Sequence, residues 1–173
     1  LALGDLGLYK QTFAPLLPQT ITIPVPLTQD QVEETFKIAD KILEKHQNEI
    51  CALIVEPLVQ CAGNMRIYSP HYLKLLREAC DKYHIHLIAD EIAVGFGRTG
   101  KMFACEHAQI IPDYMCLSKG LTGGYLPLSC VLTKESIYQA FYDTYESGKG
   151  FLHSHSYTGN PLAISAALAT FDI

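Results

Sequence analysis

The chain has 173 residues, 49% hydrophobic and 18% charged, enough for one globular domain with its own core. With 18 acidic against 13 basic residues the net charge is -5, which argues against nucleic acid or an anionic membrane as partner. No apolar run approaches the roughly 18 residues that span a bilayer, and no basic-then-apolar leader opens the chain, so a soluble cytoplasmic protein is expected.

Leu1 to Pro26 reads as irregular, with Pro15, Pro18, Pro24 and Pro26. Ile21-Thr22-Ile23 could form a short edge strand, the place to which prolines confine a strand. Thr28 to Gln47 reads as a helix capped by Thr28 or Asp30, with Val32, Phe36, Ala39, Ile42 and Leu43 on one face. Cys51 to Val55 is a continuous apolar run, as in a strand covered on both faces. Ser69-Pro70 opens a second helix, with Leu73, Leu76, Ala79 and Tyr83 inward. Ile85 to Ala89, Tyr114 to Leu117 and Leu128 to Leu132 read as further strands. Glu135 to Tyr145 and Pro161 to Phe171 read as helices. Buried strands alternating with amphipathic helices point to an α/β layered domain with a mainly parallel sheet. Ligands of such sheets bind at the carboxyl ends of the strands, where Glu56, Asp90 and Lys119 all fall. The six cysteines form no Cys-x-x-Cys pair, so reduced, buried thiols are expected rather than a disulfide framework or a metal site. The chain lacks an initiator Met and stops within an apolar helical pattern at Phe171-Asp172-Ile173. An internal piece of a longer protein is therefore expected.

Four stretches could carry chemistry. Asp90 ends an apolar strand, where a carboxylate is costly unless paired. Either Asp90 or Glu91 caps the next turn, or a pyridinium nitrogen partners Asp90 and keeps it ionised. Lys119 also ends an apolar strand. Most lysines are solvated surface charges. One in this position can have its pKa lowered by partial burial and attack an aldehyde. Phe151 to Pro161 leads into a helix start, where hydroxyls and free N–H groups suit a phosphate. A plain capped turn, with Asn160 or Thr158 as cap, explains it equally. Its His153-x-His155 pair lacks a third ligand for a metal. In Gly95-Phe96-Gly97-Arg98-Thr99-Gly100, Arg98 could bind a carboxylate in a bidentate way or be a surface residue.

Together, Asp90-Glu91-Ile92-Ala93-Val94-Gly95-Phe96-Gly97-Arg98-Thr99-Gly100, Ser118-Lys119-Gly120-Leu121-Thr122-Gly123-Gly124 and the stretch from His153 to Pro161 resemble class III aminotransferases. The likeness runs from Gly4-Asp5 to the last helix. It implies a three-layer αβα fold-type I domain using pyridoxal 5'-phosphate, with residues 1–173 as the central part of the large domain. The N-terminal segment and the C-terminal small domain of the family would lie outside it. Within the class, Glu56-Pro57-Leu58-Val59-Gln60, Ala93 and Gly124-Tyr125-Leu126-Pro127 are similar to the branch that aminates 8-amino-7-oxononanoate in biotin biosynthesis, with S-adenosylmethionine as the implied donor. Ornithine, acetylornithine and 4-aminobutyrate enzymes usually carry glutamine where Ala93 stands and glutamate where Cys61 stands. By the resemblance, Lys119 bonds the cofactor and shuttles a proton, and Asp90 holds the pyridine nitrogen protonated. His155 and Ser156 bind the cofactor phosphate of a neighbouring subunit, and Ser154 and Arg98 lie on the substrate side. A homodimer with shared active sites follows.

Overall fold

The computed structural model describes residues 2–4 and 7–173. Leu1, Leu6 and Asp5, near which the family likeness begins, lie outside the described residues. Helix α1, Gly7–Lys10, and a 3-10 turn over Gln11–Leu16 open the chain. The expected strand at Ile21 to Ile23 does not form. Pro18, Pro24 and Pro26 withhold N–H groups from any ladder, and the arm is tethered by packing instead. The Tyr72 hydroxyl donates to the Pro24 carbonyl at 2.6 Å, and Ile23 and Val25 lie against the core.

Helix α2, Val32–His46, buries Val32, Ala39 and Leu43 at helical spacing. Neither Thr28 nor Asp30 caps it; the Leu27 N–H reaches the Gln31 side chain at 3.1 Å. Helix α3, Pro70–Tyr83, starts as its sequence predicts. The Ser69 hydroxyl accepts from the His71 N–H at 3.2 Å, and Pro70 needs no donor at the first helical position. Leu73, Leu76, Ala79 and Tyr83 are all buried. Between the two helices lie strand β1, Ala52–Val55, and a small antiparallel hairpin of β2, Val59–Gln60, and β3, Arg66–Ile67.

Strands β4, His86–Asp90, β5, Tyr114–Leu117, and β6, Cys130–Thr133, complete a sheet of order β1-β4-β5-β6. β1, β4 and β5 run parallel, and β6 is antiparallel to β5. Leu53, Val55, Leu87 and Ala89 point to one face and form the core with α2 and α3. Ala52, Ile54 and Ile88 alternate with them and stay half-buried. The run Cys51 to Val55 is thus fully covered on one face only. Among the described residues the sheet is mainly parallel, as expected, with one full helical layer and partial cover on the other face.

Helix α4, Glu135–Gln139, ends well before Tyr145 and buries nothing. Without an apolar face in the core, propensity alone does not extend it. Instead the Thr144 N–H turns back to the Asp143 carboxylate at 2.8 Å. Helix α5, Pro161–Phe171, is capped by Asn160, whose side chain accepts from the Leu162 N–H at 2.9 Å. All six cysteines are reduced, but only Cys80 and Cys105 are buried, fewer than expected. Burial pushes the Cys80 thiol up to about 12, so it behaves as an inert apolar group.

One ion cluster ties the amino ends of β4 and β5 to α3. Asp113 and Arg77 are each 8% exposed and pair at 2.8 Å. The Asp113 carboxylate also accepts from the Leu87 N–H at 2.8 Å and from Lys134 at 2.7 Å. Burial alone would raise the Asp113 carboxyl, but these three donors outweigh it and hold it well below the usual carboxylate range.

Candidate active site

The carboxyl edge of the parallel strands gathers the acidic and basic residues that end them. Val55 pairs with Ala89, so Glu56 stands level with Asp90. Asp90 pairs in turn with Cys116 on β5, and Lys119 follows three residues later. Asp90 and Lys119 thus leave neighbouring parallel strands at one edge, as their places after apolar runs predict.

The two acids of the Asp90-Glu91 pair separate in role. Glu91 is fully buried, and its two carboxylate oxygens accept the N–H groups of Ala104 and Cys105 at 2.9 and 2.8 Å. It caps the 3-10 turn Ala104–His107. Asp90 is half-buried and spends one oxygen on the Ile92 N–H at 3.1 Å. Among the described residues Asp90 forms no ion pair. Burial, and after it the charge of Asp90, pushes the thiol of its strand partner Cys116 up, so that thiol is no nucleophile here.

Lys119 opens a 3-10 turn, Lys119–Thr122, with φ +41, a conformation few residues other than glycine adopt. The residue before it is anchored, because the Ser118 hydroxyl donates to the Leu128 carbonyl at 2.6 Å. The turn rests on α5, with Leu121 and Thr122 buried. The partial burial expected of Lys119 is not found. The chain leaves the sheet at Ser118, and the side chain beyond it is exposed. Lys119 and Arg98 line one cavity of about 360 Å³, with Ile92, Ala93, Phe96 and Gly120. Arg98 has no acidic partner among the described residues, which leaves its guanidinium open to a carboxylate. Asp90 lines a separate cavity of about 500 Å³ beside Glu56, Gln60 and the free edge of β1.

Ser154, His155 and Ser156 are exposed on the turn before α5 and line neither cavity. The His155 N–H donates to the Thr158 hydroxyl at 3.1 Å, and its ring Nδ1 accepts from the Tyr157 N–H at 3.1 Å. His153 stacks on Phe151 at 5.7 Å. Among the described residues no group of three or more His, Cys, Asp or Glu is placed to hold a metal. No helix among them is long and apolar enough to cross a membrane. The structure therefore joins Lys119 with Arg98, sets Asp90 on the same edge, and leaves residues 154–156 apart.

The donor set fits pyridoxal 5'-phosphate at two of its ends. Asp90 and Lys119 share an edge without pairing to one another, so a carboxylate is available for a pyridinium N–H and an amine for an aldehyde. Two features were not read from the sequence, the Asp113 cluster and the β2–β3 hairpin; of the two acids that could cap a turn, Glu91 is the one that does. The hairpin alone has a local signal, the Gly63-Asn64 turn, in which Asn64 has φ +60.

The model of the family Aminotransferase class-III matches residues 1–173. The chain is 56% identical to the adenosylmethionine-8-amino-7-oxononanoate aminotransferase of Helicobacter pylori, over 100% of this chain and 40% of that protein. The crystal structure of the enzyme of that name from Methanocaldococcus jannaschii superposes with a TM-score of 0.90 at 37% identity, over 99% of this chain and 39% of the other. An amine transaminase from an uncultivated Pseudomonas species, solved in its PLP-bound form, gives 0.88 at 32% identity, over 99% and 41%. The chain thus spans about two fifths of the length of the relatives it matches. With the family's model matched from end to end and its fold reproduced at the site, the chain belongs to the class III aminotransferases.

Proposed function

We propose that the full-length protein transfers an amino group to 8-amino-7-oxononanoate, giving 7,8-diaminopelargonate for biotin synthesis. S-adenosylmethionine is the donor and pyridoxal 5'-phosphate the cofactor. The observation that carries this reading is that Asp90 and Lys119 follow adjacent parallel strands at one edge of the sheet, in a chain 56% identical to an enzyme named for that reaction. When bound, the cofactor supplies an aldehyde that carries the amino group and a ring that delocalises carbanion charge. Asp90 accepts the ring N–H and keeps that nitrogen protonated. Lys119 takes the proton from the reacting carbon and returns it. Arg98, across the same cavity, pairs with a substrate carboxylate.

Residues 1–173 form the central part of the large cofactor domain in this reading, with the flanking segments supplying the rest of the site. Ser156 and the His155 backbone serve the phosphate of a neighbouring subunit, and Ser154 lies near the substrate. Their exposure in a single chain supports that placement, which makes the protein a homodimer with shared sites. The His155 N–H must then exchange its Thr158 partner for the phosphate.

The test uses the full-length protein. Pyridoxal 5'-phosphate is added, the adduct is reduced with borohydride, and the labelled peptide is mapped. The label falls on Lys119; a label elsewhere, or none, overturns the reading. Exposure to 7,8-diaminopelargonate then converts the cofactor to its amino form. If ornithine does so and 7,8-diaminopelargonate does not, the protein is a different ω-aminotransferase of the class.

A further inference from the structure

Phe96 stands over the turn that presents Lys119. A side chain at Gly120, the next residue, would place its Cβ 2.9 Å from the Phe96 Cβ, 3.0 Å from Cδ2 and 3.2 Å from Cγ. These separations are far inside van der Waals contact, so the base of the Phe96 side chain occupies the space that Gly120 leaves empty. Phe96 is itself fixed. Its backbone has φ +57, a costly conformation for an aromatic residue. Its ring makes edge contacts with Phe103 at 5.8 Å and with Phe171 of α5 at 5.9 Å. Two non-glycine residues with positive φ, Phe96 and Lys119, thus face each other across Gly120 and line one cavity. Strain of this kind persists only where surrounding contacts over-determine it. At Lys119 the contact that closes the turn from the cavity side is Phe96.

We propose that Phe96 is a positioning residue: wedged against Gly120, it holds the left-handed turn at Lys119 and so sets where the lysine amine stands. The proposal rests on Lys119 being the reactive amine. A misplacement of about 1 Å at such a group costs on the order of a hundredfold in rate, so a wedge two residues away in space is enough to matter. The contact atoms also separate two roles. Leucine keeps Cβ, Cγ and one Cδ, and so keeps the wedge while losing the ring contacts with Phe103 and Phe171. Alanine loses both.

The experiment follows capture of pyridoxal 5'-phosphate by the cofactor-free, full-length protein. Adducts are trapped with borohydride at successive times and pH values, and Lys119 occupancy is read by mass spectrometry beside a thermal melt. Phe96→Leu lowers the melting temperature but keeps the wild-type capture rate and pH midpoint. Phe96→Ala slows capture by at least about tenfold and moves its pH midpoint. Gly120→Ala does the same in the wild-type background and is partly rescued by Phe96→Gly, which removes the Cβ that the new methyl would meet at 2.9 Å together with Cγ and Cδ2. Capture in Phe96→Ala or Gly120→Ala at the wild-type rate and midpoint overturns the proposal. So does loss in both Phe96 variants in proportion to their melting temperatures. If Phe96→Ala does not fold, Phe96→Leu against Gly120→Ala decides by the same criteria. Failure of the wild type to label Lys119 instead sinks the aminotransferase reading itself.

Discussion

Glu91 gives both carboxylate oxygens to backbone N–H groups, whereas Asp90 gives only one and remains half-buried. Adjacent acids therefore do different work: one is consumed by structure, the other is available to a ligand. Glu91→Gln replaces a doubly accepting carboxylate with a group that can accept at one oxygen only. It should leave a buried N–H unpaired and cost about 1–3 kcal/mol, read in urea melts of the full-length protein. Lys119→Ala should abolish turnover with little change in the melt, because Lys119 is exposed and packs against nothing in the core. Asp90 and Lys119 were legible because each ends an apolar run abruptly. That one acid of the pair caps a turn was legible too, but not which one or where, because the partners of Glu91 lie 13 and 14 residues further on and no local pattern marks a cap so distant.

At the scale of elements, the strands and the helices α2, α3 and α5 follow hydrophobic period and cap residues closely. The departures have separate causes. Around Ile21 to Ile23 the prolines withhold ladder donors although Ile23 packs on the core, whereas Glu135 to Tyr145 has no buried face to dock, and tertiary packing decides such cases. Arg77 lies in α3, Asp113 just before β5 and Lys134 just after β6, so their cluster appears only once the sheet has formed. Asp113→Asn strips one of two counter-charges from the buried Arg77 guanidinium, which keeps Asp81 at 2.7 Å, and should cost about 1–3 kcal/mol. The sign with pH is definite. Because the folded carboxyl is held down, its contribution is complete above the unfolded value near 3.9 and is lost as pH falls through the folded value. Thermal melts of the wild type should therefore lose stability below about pH 4, and Asp113→Asn should flatten that acid limb.

For the whole molecule, the phosphate anchor is the open joint. Ser154, His155 and Ser156 lie apart from the Lys119 cavity of their own chain, and the proposed dimer places them in the partner's site. Mixed subunits test this directly. Lys119→Ala and Ser156→Ala homodimers should each be impaired. If Ser156 acts across the interface, a hybrid carries one site with both native residues, and an equimolar mixture recovers up to about a quarter of wild-type activity. If Ser156 acts within its own chain, mixing recovers nothing. Activity is assayed before and after subunit exchange in mild denaturant.

The Glu91 cap has a further consequence, for how this region can change over time. The segment from Ile92 to Phe103 leaves Glu91 and returns to N–H groups held by the same side chain, so it is a loop with a common base. Closing a loop costs only about 0.6 kcal/mol more for each doubling of its length. Residues can therefore be inserted near its tip at small cost, while Gly97 and Gly100, with φ +87 and +88, resist replacement, and Gly95 does too, since a Cβ there would meet the Glu91 carbonyl at 2.9 Å. A hinge-fast, tip-tolerant loop beside Lys119 is, under the proposed function, a place where new substrate preferences can arise without refolding the protein.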